Sequence, residues 1–559
     1  MKAGISRAIV LLTLLSFASA SASGQGAPAE RSIPRLEKRG ETTQLIVDGK
    51  PFLVLGGELL NSSGSSVAYM KPVWPRLAAM NLNTVLVPVS WELIEPQESK
   101  WDFEVVDGLI RDARQHQLRL ILLWFGSWKN TYSSYTPAWV KKDVERFPRV
   151  QLHDGRGTER LSPFHAANWE ADARAFAALM RHLKQVDGDM RTVIMMQVEN
   201  EVGVIPESRD HSTIAGSRFA GPVAPELLNY LSRNRASLVP ELRGAWEAAG
   251  ARAAGTWEEV FGKQPLTDDL FMAWHFAAYV QRVAAAGKRE YPLPMFVNAA
   301  LIRPNYQPGQ YNSGGPLPHS MDLWRAAAPA IDFVTPDIYF ENFADWCRLY
   351  QRLGNPLFIP EARAGAAAAA NVLYAVGAHA AIGFSPFAID EEGAAGSSER
   401  RTADENRELL AASYGVLSRL APLVLEKQAS GDIAATLLEG EAQRSARFSL
   451  GGYTMTMTRA AAAAPNASAE RAAALFVRTG EDEFLVAGSG RANISFAPNS
   501  PGLPIAGIAS IDEERLVDGH WVRLRRLNGD ENGQGQVLRL NPSGATPGTA
   551  YRVRLYRYR

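Results

Sequence analysis

The sequence predicts a (β/α)8 TIM barrel followed by a C-terminal all-β, sandwich-like domain. Three observations carry this. Eight short apolar stretches recur between residues 53 and 387, with helical-looking segments between them. Polar and acidic residues gather where those stretches end, and beyond about residue 426 the texture changes to short alternating strands separated by turn clusters. Strand–helix alternation of this length, with no Gly-rich phosphate turn after a strand, fits a closed parallel barrel better than an open doubly wound sheet.

Taken in order, the chain opens with Lys2 and Arg7, an apolar run over residues 8–18 and small residues to Ala22. That layout reads as a signal peptide over residues 1–22 and an exported, periplasmic or secreted protein. Residues 23–40 read as loose. Residues 44–53 form a hairpin turning at Asp48-Gly49, placed to plug the bottom of a barrel spanning residues 40–425. The first strand covers residues 53–58 with a helix at 74–80, the second 84–91 with a helix at 105–116, and the third 119–126 with a helix at 169–185. The fourth starts at Val193 and runs into Gln197, Glu199, Asn200 and Glu201. The fifth to eighth cover residues 295–301, 333–339, 357–361 and 381–387. Two long stretches follow strands three and four, residues 131–168 and 202–267, and the first carries Tyr132, Tyr135, Trp139, Phe164 and His165. Insertions at that face of a barrel shape a cleft, and aromatic rings there suit the C–H faces of sugars, although each ring also serves simply to pin its loop. A helix over residues 405–426 ends the barrel. The β-rich domain over 426–559 has strands at 447–450, 453–458, 483–487 and 551–558, and an Ala-rich surface loop at 460–469.

Composition removes several function classes. Fifty-nine basic residues balance 59 acidic ones, with no basic stripe, which argues against nucleic acid. No stretch after the leader reads as apolar enough to insert in a membrane. The single cysteine, Cys347, excludes an internal disulfide and a cysteine-built zinc site, and reads as a buried filler. The histidines are isolated, no Gly-x-Ser-x-Gly elbow is present, and no phosphate cradle has the right spacing, so no metal or other cofactor is expected. The oligomeric state is left open.

The chemistry concentrates in two carboxylates that end buried strands. Glu201 ends the fourth, and Glu361 ends the seventh in Leu357-Phe-Ile-Pro-Glu361. Across a barrel mouth they stand close enough for a retaining glycosidase pair at roughly 5 Å. Glu361 takes the part of the nucleophile, with Arg363 a nearby cation. Glu201 becomes the acid and then the base, its pKa raised by its negative neighbour and by partial burial. Asn200 is placed to bond the hydroxyl beside the reacting carbon, and Tyr339 to donate to Glu361. Trp91, Glu58, Trp128 and Asn298, at or near strand ends, complete the substrate-binding candidates. Plainer readings stand beside these, since a tyrosine also caps a strand and a carboxylate also marks a strand leaving the core.

The segment Gln197-Val-Glu-Asn-Glu-Val-Gly203 resembles the acid/base motif of glycoside hydrolase family 35, the β-galactosidases of clan A. Trp91-Glu-Leu-Ile-Glu-Pro96 with Trp101-Asp-Phe103 is similar to the pattern after that family's second strand, and Val47-Asp-Gly-Lys-Pro-Phe52 to its opening strand. The resemblance covers about residues 40–425. It implies Glu201 as acid/base, Glu361 as nucleophile, a carbohydrate substrate and a retaining, exo-acting β-galactosidase. The chain departs from the family around Glu361, where Pro360 and Ala362 flank it, at residues 88–90 and at residues 57–61. Those departures resemble a bacterial branch with one β accessory domain that includes enzymes acting on xyloglucan side chains. Two other readings stay open: another clan A exo-glycosidase, for β-glucosides or α-L-arabinosides, and a noncatalytic carbohydrate-binding barrel.

Overall fold

The computed structural model describes residue 1 and residues 33–392, 397–440, 442–460, 471–500, 502–540 and 549–559. All but residue 1 of the leader read over residues 1–22, and nearly all of the Ala-rich loop, therefore lie outside the described residues. The stretch read as loose up to residue 40 is corrected in its last part. Arg35–Arg39 pairs antiparallel with Thr42–Val47, which turns back onto Lys50–Phe52. The turn is Asp48-Gly49, both at positive φ (51° and 76°), the geometry a two-residue hairpin favours. Strand alternation aims Leu45 and Val47 at Val54, Leu86, Ile121, Ile194, Phe296 and Phe358, so the hairpin seals the barrel floor. Asp48 fastens it, pairing with Arg119 at 2.6 Å and Arg191 at 2.8 Å.

The eight barrel strands fall on the eight predicted stretches. They are β1 (Val54–Leu55), β2 (Thr84–Ser90), β3 (Arg119–Lys129), β4 (Val193–Asn200), β5 (Met295–Ala300), β6 (Phe333–Ile338), β7 (Glu361–Ala362) and β8 (Gly383–Phe384). Strands β2 to β7 form one parallel sheet in sequence order, and β8 pairs in parallel with β1. Two single bridges close the ring, Glu58 to Leu86 between β1 and β2, and Ile359 to Phe384 between β7 and β8. Because side chains alternate, Leu86, Ile121, Leu123 and Ile194 fill the interior while Val85, Val87, Leu120, Leu122 and Val193 face the helices. The packed interior leaves only the strand tips to meet a ligand.

The two insertions carry their own structure. The first holds a helix, Ala138–Lys142, and a hairpin, Arg149–Gln151 with Gly157–Leu161; the second holds four helices from Thr213 to Phe261. Most of the first insertion's aromatic residues pin it down. Trp139 donates to the Glu95 carbonyl at 3.2 Å, Phe164 stacks on Phe271, and Tyr135 meets Phe125 edge-on.

The last barrel helix, Ser398–Ser430, is longer than expected. Contrary to the expectation that no later segment qualifies, an 18-residue stretch within Arg400–Ser430 is long and apolar enough to cross a membrane by composition, yet half of that stretch is buried inside the protein. Leu410, Tyr414, Leu417 and Val424 are its buried contacts. Beyond it lie two sheets. Six strands pair in the order Ile433–Leu438, Ala472–Arg478, Glu483–Ser489, Ala550–Tyr558, Ile505–Val517, His520–Leu527, and four in the order Ser445–Leu450, Tyr453–Arg459, Ala492–Pro498, Leu538–Arg539. Alternation splits the first sheet's apolar residues. Leu438, Phe476 and Val486 meet Tyr453, Met455 and Ile494 of the second sheet, while Leu437, Leu475 and Leu485 join the barrel core. The helix Ala366–His379 comes so close here that a Cβ on Gly377 would stand 2.6 Å from that of Ala435. Cys347 is fully buried.

Candidate active site

Polar side chains meet at the strand tips: Glu58 beyond β1, Lys129 at the end of β3, Asn200 and Glu201 at β4, Asn298 in β5, Asp337 in β6 with Tyr339 just past it, and Glu361 in β7. Glu201, Asp337 and Glu361 each place one carboxyl oxygen within 4.8 Å of the other two.

Glu361 is 4% exposed and fixed by three donors: Asn200 Nδ2 at 3.1 Å, Asn298 Nδ2 at 3.3 Å and Tyr339 Oη at 2.9 Å. These bonds fix the direction of its carboxyl group. Arg363 does not reach it. Its side chain lies past the end of β7, is exposed, and among the described residues bonds to the Tyr339 carbonyl at 3.4 Å. The cation of the site is Lys129, 6% exposed, with Nζ 5.0 Å from the Phe125 ring and 5.9 Å from that of Phe387. Burial works against its charge, but the fields of Glu361, Glu58, Glu201 and Asp337 outweigh that and hold its pKa above the usual lysine value.

Burial first, and the charge of Glu361 second, push Glu201 up to about 7, against the opposing influence of Lys129 and a hydrogen bond with Asp337. Its backbone is left-handed, with φ of 46°, as is that of Glu199 at 63°. That conformation costs a non-Gly residue roughly 1–2 kcal/mol. Three amides hold it: Glu201 N–H donates to Asn298 Oδ1 at 3.0 Å, Asn312 Nδ2 to the Glu201 carbonyl at 3.1 Å, and Gln197 Nε2 to the Glu199 carbonyl at 3.0 Å. Asp337 and Glu58 are raised well above the carboxylate range, chiefly by burial and then by Glu361. Among the described residues the site thus holds a carboxyl group fixed by three donors, a buried lysine, Glu201 pushed up to about 7, and two further buried carboxyl groups.

The structure brings together Glu201, Glu361, Asn200, Tyr339, Glu58 and Asn298. Asn298 is committed to the protein, since it also donates to Asp337 at 2.7 Å, and so it positions other groups and has no donor left for a sugar. Two candidates are corrected. Trp91 and Trp128 are fully buried. The Trp91 indole donates to Glu95 at 2.8 Å, and that of Trp128 to the Leu161 carbonyl at 3.2 Å, with its ring against Phe276 and Tyr279. Neither offers a face to the cleft. Lys129 and Asp337 are the residues the sequence reading missed. Asp337 lies in register with Glu361, and Lys129 with Asn200.

The sequence profile of glycoside hydrolase family 42, described as β-galactosidase, matches residues 73–278, a stretch that includes β2, β3, β4 and Glu201. Residues 410–539 match a domain of unknown function, DUF5597. A β-galactosidase of Xanthomonas manihotis is 31% identical over 185 residues, covering 32% of this chain and 28% of that protein. Crystal structures of β-galactosidase from Bacillus circulans sp. alkalophilus and from the psychrophilic Marinomonas ef1 are 17% and 13% identical, with TM-scores of 0.45 and 0.46. Each covers 67% of this chain, and 57% and 61% of the respective solved chain. The chain therefore spans less than a third of the curated relative and about three-fifths of these structures. The resemblance to family 35 is not upheld, because the profile that matches is that of family 42. Both families belong to clan A, and a motif at one strand end does not separate them.

Proposed function

We propose that this chain is a retaining, exo-acting β-galactosidase that works by double displacement. The observation that carries the proposal is the pair Glu201 and Glu361, with oxygens within 4.8 Å and opposite environments. Retaining enzymes hold their carboxyl groups about 5–5.5 Å apart, leaving no room for a water between nucleophile and sugar. Glu361, fixed by three donors, attacks the anomeric carbon as Glu201 protonates the departing oxygen. Water then enters, Glu201 takes its proton, and the ester to Glu361 is hydrolysed with a second inversion. Asn200 keeps one acceptor, Oδ1, without a partner, and that atom is suited to the hydroxyl beside the reacting carbon. The family 42 profile and the named relative support galactose as the sugar. Xyloglucan rested on the family 35 branch and enters only as one substrate to assay. Export belongs to the proposal on the strength of the leader-like residues 1–22.

The test is hydrolysis of aryl β-galactoside, β-glucoside and α-L-arabinoside, with the anomer released first followed by proton NMR. β-Galactose formed first is the expected result. An α-anomer formed first contradicts double displacement, glucose or arabinose in place of galactose replaces the sugar, and silence on every substrate favours a noncatalytic binding barrel.

A further inference from the structure

Beneath Glu201 lies a second acidic pair that the reaction does not use. Glu199, on β4, and Asp172, on the helix Ala166–Asp187, are both fully buried, with their carboxyl groups in hydrogen-bonding contact. Two buried carboxylates in contact repel each other unless a proton lies between them.

Hydrogen-bond directions say which partner carries that proton. Asp172 accepts from Trp124 Nε1 at 2.8 Å and from Ser127 Oγ at 2.7 Å, with Tyr279 Oη at 3.4 Å. Only donors surround it, which is the setting of a carboxylate. Glu199 Oε2 accepts from the Trp128 backbone N–H at 2.7 Å, while among the described residues Glu199 Oε1 has no N–H or O–H donor. A proton on Oε1, given to Asp172, satisfies both groups. Burial, and then the neighbouring Asp172, raise Glu199 well above the carboxylate range, in agreement with that placement.

The pair also mends a break in the sheet. The register of β3 against β4 shifts between Trp124 and Lys129, so Phe125 to Trp128 leave the ladder. Freed backbone N–H groups need other partners when buried. Glu199 takes that of Trp128, and the Ser127 backbone bonds to the pair as well. The approach is tight, since a Cβ on Gly126 would stand 2.6 Å from Glu199 Oε1 and 2.8 Å from Asp172 Oδ1. The bulge sets where Lys129 emerges, and Glu199, itself left-handed, sets the direction of the chain two residues before Glu201.

We propose that Glu199 and Asp172 share one proton as a buried clamp that aims the tips of β3 and β4, making both of them positioning residues for Glu201 and Lys129. The activity consequence rests on the glycosidase reading above; the clamp itself does not. The groups facing it are Asp172 from the helix, Tyr279 from the helix Pro265–Glu290, and Ser127, Trp124 and the Trp128 N–H from β3.

Gln in place of Glu199 keeps both bonds, its amide N–H donating to Asp172 and its oxygen accepting from Trp128, with no proton to lose. Glu199→Ala keeps neither. In the full chain, E199Q is expected to retain kcat within about threefold, while E199A loses about 10²-fold in kcat with little change in KM, the scale of a misaimed catalytic group. Wild-type melting temperature, compared with that of E199Q, should fall progressively as pH rises above the usual carboxylate range, since the folded acid resists ionising. This second readout needs no activity, so failure of the glycosidase reading leaves it intact. A pH-independent difference in melting temperature, or E199Q as impaired as E199A, overturns the clamp.

Discussion

Burial and the charge of Glu361 together push Glu201 up to about 7, and the part due to Glu361 can be switched off chemically. Trapping the glycosyl-enzyme with 2-deoxy-2-fluoro-β-galactosyl fluoride esterifies Glu361 and removes the anion. The rise of Glu201 from 4.5 to about 7 corresponds to about 3.4 kcal/mol, with burial the larger cause and Glu361 the smaller. A unit charge within 4.8 Å interacts by about 3.5 kcal/mol at an effective dielectric constant of ~20, and the nearby Lys129 reduces the net effect. Removing Glu361's charge should therefore lower Glu201 by about 1–2 pH units. The descending limb of kcat/KM against pH reads Glu201 as an acid beside ionised Glu361, and it is expected near pH 7. The rate at which the trapped enzyme reactivates reads Glu201 as a base, so its ascending limb should lie about 1–2 units lower. Equal midpoints for the two limbs would refute the coupling.

Three further outcomes follow from the same geometry. Tyr339→Phe removes a 2.9 Å donor to Glu361 and should lower kcat/KM by about 10–100-fold without changing the melting temperature appreciably, measured with an aryl galactoside. Lys129→Met removes a charge that lowers the pKa of Glu201, so the descending limb of the pH profile should move to higher pH; an unmoved limb would show that Lys129 does not act on Glu201. Dialysis against a chelator should leave kcat unchanged. Loss of activity restored by a divalent cation would reassign the clustered oxygens of Glu201, Asp337 and Glu361 to a metal site.

The barrel was legible because parallel strands buried on both faces are apolar runs, and the eight runs are in place. The site was legible only where a strand's last residue could be recognised. Glu361 follows an unbroken apolar stretch, and Glu201 closes the polar run that ends one, so both stand out. Lys129 did not, because the third strand was read to end at residue 126, whereas it bulges and continues to Lys129. A bulge held by side chains from a helix and a neighbouring strand leaves no local trace. Asp337 was passed over as a single acid inside Phe333–Ile338, because the sequence gives no sign of the carboxyl groups that surround it. The same limit misplaced Trp91 and Trp128, since an aromatic residue near a strand end packs inward or faces the cleft with the same sequence. Arg363 shows the converse: its spacing from Glu361 was visible, but the strand ends at Ala362 and its side chain goes to the Tyr339 carbonyl instead.

Four carboxyl groups stand near one another at the barrel mouth, and double displacement with Glu201 as the acid requires Glu361 alone among them to be the nucleophile. Peptide mapping by mass spectrometry of the enzyme trapped with the fluorosugar tests that assignment most directly. A single label on Glu361 is the predicted result. A label on Glu58, Asp337 or Glu201 would contradict the roles of Glu361 as nucleophile and Glu201 as acid/base.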